Sequence, residues 1–379
     1  MESAGSKGIE NIRSLYLKLN GMFYKYSNEV TGILMSTLAR ENYLLIGPPG
    51  TAKTTLVYVL SKLLNARWFY RQLTKFTDLE EILGPIDVAK LLEGKVERIY
   101  VNSIVESDFA LLDEIFNASS AILNTLLSLL NERVVYDGDK VIPVKTWTVF
   151  GSSNRIPEEE ELQALYDRFP LRIFTEYAAP EDTEALLTKG WYLRRETENL
   201  SPVATMELIR DTYNELIRHL YVNISDVAKV TSPIIADFVE HVPISNRTRI
   251  KVPLYALAYL MIQGFPLSQV NATMLKVAVM KVSRYLVHDK EQLSEYDAFL
   301  TAHLPDELLK VSDLVSEAKA LLNNNMINEA AQKIKEAEET LNRLKARWDK
   351  SLLSLYMSEI EETEYLIQRL RGAIYGSEQ

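Results

Sequence analysis

The sequence predicts an α/β fold, with a mainly parallel sheet covered on both faces and an all-helical section after it. Three observations carry this reading. Short apolar strands alternate with helical patterns from about residue 42 to residue 177, the pattern of a parallel sheet packed between helices. A glycine- and proline-bearing loop, "GPPGTAKTT" (47–55), joins the first strand to a helix. After Ala178 the strand signal stops, and Pro180 opens a run of about five helices reaching Val287.

Each element follows from its spacing. Residues 1–40 read as helix, with Val30, Ile33, Leu34 and Leu38 on one face. "NYLLI" (42–46) reads as a strand, and "TTLVYVLSKLL" (54–64) as a helix with Leu56, Val59, Leu60 and Leu63 at i, i+3, i+4, i+7. "RWFYRQL" (67–73), "FALLDE" (109–114), "TWTVFGSSN" (146–154) and "LRIFTEY" (171–177) supply the other strands, and "SSAILNTLLSLLNER" (119–133) a further helix. Two segments interrupt the alternation and read as β-hairpin insertions: 84–101, turning at Gly94, and 133–144, turning at Asp137-Gly138. Near the C-terminus, Val311, Leu314, Val315, Ala318, Leu321 and Leu322 form one stripe, and "NNN" (323–325) makes a turn. Ile327, Ile334, Leu341, Trp348 and Leu355 then repeat every seventh residue, a seam suited to a helical hairpin or short coiled coil. The expected organisation is a nucleotide-binding core at 1–177, a helical lid at 178–287 and a helical-hairpin domain at 288–379.

Bulk composition narrows the function. A chain of 379 residues, 47% apolar and 25% charged, is ordinary globular material for two or three domains. The absence of cysteine excludes disulfides, thiolate metal sites and cysteine nucleophiles. A net charge of −10 argues against a general nucleic-acid binder, which carries basic excess. The N-terminal stretch lacks the apolar run of a signal peptide, and the longest apolar run, 254–262, is too short to span a bilayer. The expected setting is soluble and cytoplasmic. Histidines 219, 241, 288 and 303 are scattered and form no H-x-x-x-H pair, so metal chemistry other than Mg²⁺ is not expected.

Four signals carry chemistry, each at a strand or helix end. The loop Gly47, Pro48, Pro49, Gly50, Thr51, Ala52, Lys53, Thr54, Thr55 lies between strand and helix, as a phosphate-binding loop must. Backbone N–H groups of residues 50–54 would cradle phosphates, Lys53 would reach the β- and γ-phosphates, and the Thr54 hydroxyl would ligate Mg²⁺. Ala52 replaces a glycine of the usual pattern, which is tolerable where φ is negative. In "FALLDE", Asp113 is placed to hold Mg²⁺ through water and Glu114 to polarise an attacking water. Seen alone, the pair is also what a helix N-terminus attracts. "TVFGSSN" ends on Asn154, an amide able to orient water or a γ-phosphate oxygen, although asparagine also simply favours turns. Arg168 in "ALYDRF" and Arg247 in "VPISNRTRI" complete the set; in isolation each reads as a surface salt-bridge residue.

With these motifs in this order the sequence resembles an AAA+ ATPase of the MoxR family, particularly its RavA-like branch. The likeness covers roughly residues 8–285 and is carried by "GPPGTAKTTL", "FTDLEEILGP", "ALLDEIFNASSAILNTLLSLLNERVV", "FGSSN" and "ALYDRFPLRI". RavA-like members also tend to carry alanine before the loop lysine. The resemblance implies a five-stranded αβα core followed by a helical lid, assembly into a homohexameric ring, and nucleotide at the subunit interfaces. It assigns Lys53 and Thr54 to Walker A, Asp113 and Glu114 to Walker B, and Asn154 to sensor 1. Arg168 matches the arginine finger, and Arg247 is similar to the sensor 2 arginine, with Arg249 a close competitor. The segments 84–101 and 133–144 look like the helix 2 and pre-sensor 1 inserts, which would put Lys90, Lys95 and Arg98 within reach of a client.

The function expected is ATP- and Mg²⁺-dependent, chaperone-like remodelling of protein partners, with a von Willebrand factor A domain protein as the implied partner. A nucleic-acid motor and a nucleotide-sensing scaffold with little turnover are the alternatives. The sequence does not choose ATP over GTP, because the base contacts fall on residues without a pattern.

Overall fold

The computed structural model describes residues 2–138 and 140–375. Met1, Asp139 and residues 376–379 of the expected domains lie outside that range. The central sheet contains β1 (Tyr43–Ile46), β2 (Trp68–Gln72), β3 (Phe109–Asp113), β6 (Thr148–Ser153) and β7 (Leu171–Phe174), in the order β2-β3-β6-β1-β7. Between β3 and β6 in sequence, β4 (Val134–Asp137) and β5 (Lys140–Pro143) form a separate antiparallel pair. Every pairing in the five-stranded sheet is parallel, so helical crossovers are obligatory and both faces are buried.

The two faces feed two cores, and strand alternation sorts the side chains between them. Leu44, Ile46, Ala110, Leu112 and Val149 pack with Ile122, Leu126 and Leu129 of helix Ser120–Glu132. Tyr43, Leu45, Phe109, Leu111, Phe150, Leu171 and Ile173 face the other way, toward helices Lys53–Leu63 and Ser27–Ala39. That second core runs on without a break into the C-terminal helices. Gly151 lies at the centre of the sheet, where an added Cβ would crowd Leu44 Cδ1 at 2.9 Å and the Phe169 ring at 3.1 Å.

Beyond β7 the chain is helical: Thr183–Glu198, Met206–His241, Asn246–Ile262 and Ala272–Ser283. Thr205 caps the second of these by accepting from the Leu208 N–H, and Ser245 caps the third by accepting from the Thr248 N–H. The apolar run 254–262 is the buried half of Asn246–Ile262. Among the described residues no helix is long and apolar enough to cross a membrane. Arg210 of the long helix and Arg67 both bind Asp108, at 2.8 and 3.1 Å, fastening that helix to the start of β3.

Four expectations are corrected. Residues 1–40 form two helices, Glu2–Met22 and Ser27–Ala39, because the chain turns at 23–26, with Lys25 at φ +49°. The segment 84–101 is not a β-hairpin: Asp87 accepts from the N–H groups of Ala89 and Lys90 and starts a short helix, Val88–Leu92. Only the bridge Ile86–Arg98 is strand-like. Arg98 is also withdrawn from client contact, since it pairs with Asp137 at 3.1 Å and donates to the Gly84 carbonyl at 3.0 Å. The outward side chains of this insert include the apolar Val88, Leu92 and Val96 alongside Glu93 and Lys95.

The fourth correction concerns the seam from Ile327. It stops at the end of helix Ile327–Arg347, where Trp348 turns extended and Asp349 caps a new short helix, Lys350–Leu355. The helices Asp306–Asn323 and Ile327–Arg347 do pair, but Met357–Tyr375 packs against both and makes three helices rather than a hairpin. Its Glu359 forms an ion pair with the buried Lys281 of helix Ala272–Ser283.

Candidate nucleotide site

The ends of β1, β3 and β6 lie side by side, and the loop after β1 is tied to them. Gly47 donates its N–H to the Ser153 carbonyl at 2.9 Å. A Cβ on Gly47 would stand 2.3 Å from the Thr175 carbonyl oxygen, so only glycine fits. Thr51 holds the loop from within, its hydroxyl donating to the Pro48 carbonyl and meeting the Thr175 hydroxyl at 2.9 Å. Tyr26 clamps it from outside through a hydrogen bond to the Thr51 carbonyl. Ala52 takes φ +63°, ψ 18°, so the expectation of a negative φ is corrected. The backbone keeps the left-handed conformation that glycine would adopt freely, at a cost of about 1–2 kcal/mol for a residue with a Cβ.

Lys53 opens the helix and is 7% exposed. Its ammonium donates to the carbonyls of Gly47 and Pro48, both at 2.7 Å. Burial lowers its pKa, while the charges of Asp113 and Glu114 oppose the shift. The acid pair is therefore close enough to act on it. Asp113, last residue of β3, accepts from the Ser152 hydroxyl on β6 and from the Glu114 N–H at 3.2 Å. Its other oxygen receives only a long bond from the Tyr70 hydroxyl, 3.4 Å. Glu114 leaves the strand at φ +51°. That twist directs its carboxylate to Asn154, whose Nδ2 donates to Oε1 at 2.5 Å.

Thr54 and Asp113 offer oxygen donors of the kind Mg²⁺ takes alongside phosphates and water. The weakly engaged oxygen of Asp113 leaves acceptor capacity for that purpose. Among the described residues no group of three or more histidine, aspartate or glutamate side chains gathers as a separate metal site.

The arginines lie elsewhere. Asn42, just before β1, donates to the Arg168 carbonyl at 3.0 Å, which puts Arg168 at the amino ends of β1 and β7. β1 has four residues, so roughly 13 Å of strand at ~3.3 Å each separates that edge from the loop. Arg168 Nε and Nη1 are buried without a partner. Arg247 shares this edge: it approaches Asp167 at 3.9 Å, and its charge acts on Glu41, which precedes β1. Arg249 is exposed nearby. Lys53, Asp113, Glu114 and Asn154 are thus brought together, and Arg168 and Arg247 are kept apart from them. Sequence reasoning did not single out Ser152, Tyr26, Tyr70 or Thr175. Only Ser152 carried a signal, as part of "FGSSN".

Comparison with known proteins identifies the family and the fold. Residues 10–214 match the family model described as the MoxR domain in the MoxR-vWA-beta-propeller ternary systems. The uncharacterized protein MJ0812 of Methanocaldococcus jannaschii is 30% identical over 309 residues, 80% of this chain and 74% of that protein. The chaperone MoxR1 of Mycobacterium tuberculosis is 27% identical over 162 residues, covering 42% of each chain. A crystal structure of a candidate ATPase from Cytophaga hutchinsonii superposes with a TM-score of 0.57 at 18% identity, over 79% of this chain and 96% of that one. The fold and site define an α/β nucleotide-binding protein of the AAA+ class. Within that class, the chain belongs to the MoxR family.

Proposed function

We propose that this MoxR chain hydrolyses ATP to ADP and phosphate, with Mg²⁺, in a site completed by a second copy of itself. The observation that carries the reading is the division of the catalytic set. Lys53, Asp113, Glu114 and Asn154 converge at one edge of the sheet, and Arg168 and Arg247 stand at the other. A ring of copies, a hexamer as the resemblance implies, brings the second edge of one subunit against the first edge of the next.

In this mechanism the loop N–H groups bind the phosphates, and Lys53 exchanges the carbonyls of Gly47 and Pro48 for phosphate oxygens. Thr54 and Asp113 would hold Mg²⁺, which would supply positive charge against the phosphates. Glu114 polarises the attacking water while Asn154 fixes its carboxylate. The neighbour's Arg168 and Arg247 offset charge developing on the transferred group, which ties turnover to assembly. The energy released would drive remodelling of protein partners. The description of the matching family model supports a von Willebrand factor A domain protein as one of them.

Steady-state phosphate release tests the chemistry. Glu114→Gln is expected to lower it at least about hundredfold with ATP binding retained, the usual scale for losing a general base. Equal rates in the variant and the parent would remove hydrolysis from the account.

A further inference from the structure

Strand β7 carries an arginine between apolar residues. Arg172 lies in register with Leu44 of β1 and is 2% exposed. Leu44 faces the core that holds Ile122, Leu165 and Tyr166, so Arg172 projects to that side of the sheet. There its Nη2 donates to the Tyr166 carbonyl at 3.2 Å, and its guanidinium stacks on the Tyr166 ring, 4.2 Å from the centroid. Among the described residues its Nε is buried without a partner.

A buried cation held this sparsely is weak support for a fold, and an apolar side chain of similar volume ordinarily serves as well. Yet the contacts of Arg172 bear on one short stretch. Tyr166 ends the helix Glu160–Tyr166, and Arg168 follows two residues later. The Tyr166 carbonyl also accepts from the Phe169 N–H at 3.1 Å, and the Arg168 N–H donates to the Leu165 carbonyl at 3.0 Å. Arg168 thus sits inside a tight turn. Arg172 holds that turn at the Tyr166 carbonyl, and the buried Asn42 holds it at the Arg168 carbonyl. The Tyr166 hydroxyl donates to the His288 carbonyl, which fixes the ring that Arg172 stacks on.

We propose that Arg172 is a positioning residue for Arg168, holding the turn so that the Arg168 guanidinium leaves it in one direction, toward a neighbouring subunit. The inference rests on the reading above, in which a neighbour's Arg168 acts at the bound nucleotide, and it names what aims that arginine. Displacing a reacting group by about 1 Å can cost about hundredfold in rate.

Single-turnover phosphate release tests this with four chains: the parent, Arg168→Ala, Arg172→Met and the double variant. Methionine fills the buried space without a charge or a donor. Arg172→Met should lower the maximal rate about ten- to hundredfold. Its half-saturating ATP concentration should stay within about twofold of the parent's, because Arg172 does not bind the nucleotide itself. The double variant should be no slower than Arg168→Ala alone, since both changes remove the same interaction. Should Arg172→Met fail to fold, Arg172→Lys, which keeps the cation but loses the planar fork, takes its place in the cycle. An Arg172→Met chain at the parental rate, beside a slow Arg168→Ala, overturns the positioning role and leaves the shared site standing. A double variant slower than Arg168→Ala by the full Arg172→Met factor also overturns it, since Arg172 would then act on something else. Arg168→Ala at the parental rate removes the arginine from the shared site, and this inference with it.

Discussion

Ala52 shows how a single residue departs from its motif without changing the geometry. The loop needs a left-handed residue there, and the chain supplies alanine at φ +63°. Ala52→Gly should relieve that conformation, against a smaller entropic loss in the unfolded chain. The expected net is a stabilisation of up to about 1 kcal/mol, read as a higher urea midpoint at unchanged slope. A lower midpoint would mean that the positive φ is not held in solution. The identities of Lys53, Asp113, Glu114 and Asn154 were legible because each is a chemical type at a strand or helix end. The φ of Ala52 was not, because the backbone path is fixed by Tyr26 and Thr175, which lie far from the loop in sequence.

Among the elements, those with a strong internal period were easiest to read. β1, β3, β6 and the helix Ser120–Glu132 follow their apolar patterns closely. The insert 84–101 misled because Gly94 suggests a hairpin, while Asp87 four residues before Leu91 caps a helical turn. The heptad at 327–355 misled because periodicity does not see the break that Trp348 and Asp349 impose.

The contact between the long helix Met206–His241 and the start of β3 yields a pH prediction. Burial alone would raise the Asp108 pKa, but hydrogen bonds from Arg67 and the charges of Arg67 and Arg210 outweigh it and hold the carboxyl below its ordinary value. A depressed folded-state pKa stabilises above the unfolded value, about 3.9, and that contribution is lost as pH falls through the folded one. Asp108→Asn should therefore destabilise by about 1–3 kcal/mol at pH 7, the scale for hydrogen bonds to a charged group. The gap to the parent should close as pH falls below about 4. Denaturant titrations at several pH values check this, and a gap independent of pH would contradict it.

For the whole molecule, the governing feature is that Lys53, Asp113, Glu114 and Asn154 stand at one edge of the sheet and Arg168 and Arg247 at the other, which the proposed function treats as two incomplete halves of one site. The sequence shows both residue sets but not their separation. Spacing along the chain does not reveal that Arg168 and Arg247 meet the amino ends of the strands while Lys53 and Glu114 meet the carboxyl ends; sheet order and register decide it. Activity should accordingly rise with protein concentration until assembly saturates.

The most direct measurement is complementation between two inactive variants, Glu114→Gln and Arg168→Ala, assayed by phosphate release alone and after equimolar mixing. If the arginine acts on a neighbour's site, the mixture creates interfaces that join an intact Glu114 to an intact Arg168. Random assembly should then restore about a quarter of parental activity. A mixture no more active than the sum of its two components would contradict the account, since each chain would then have to complete its own site.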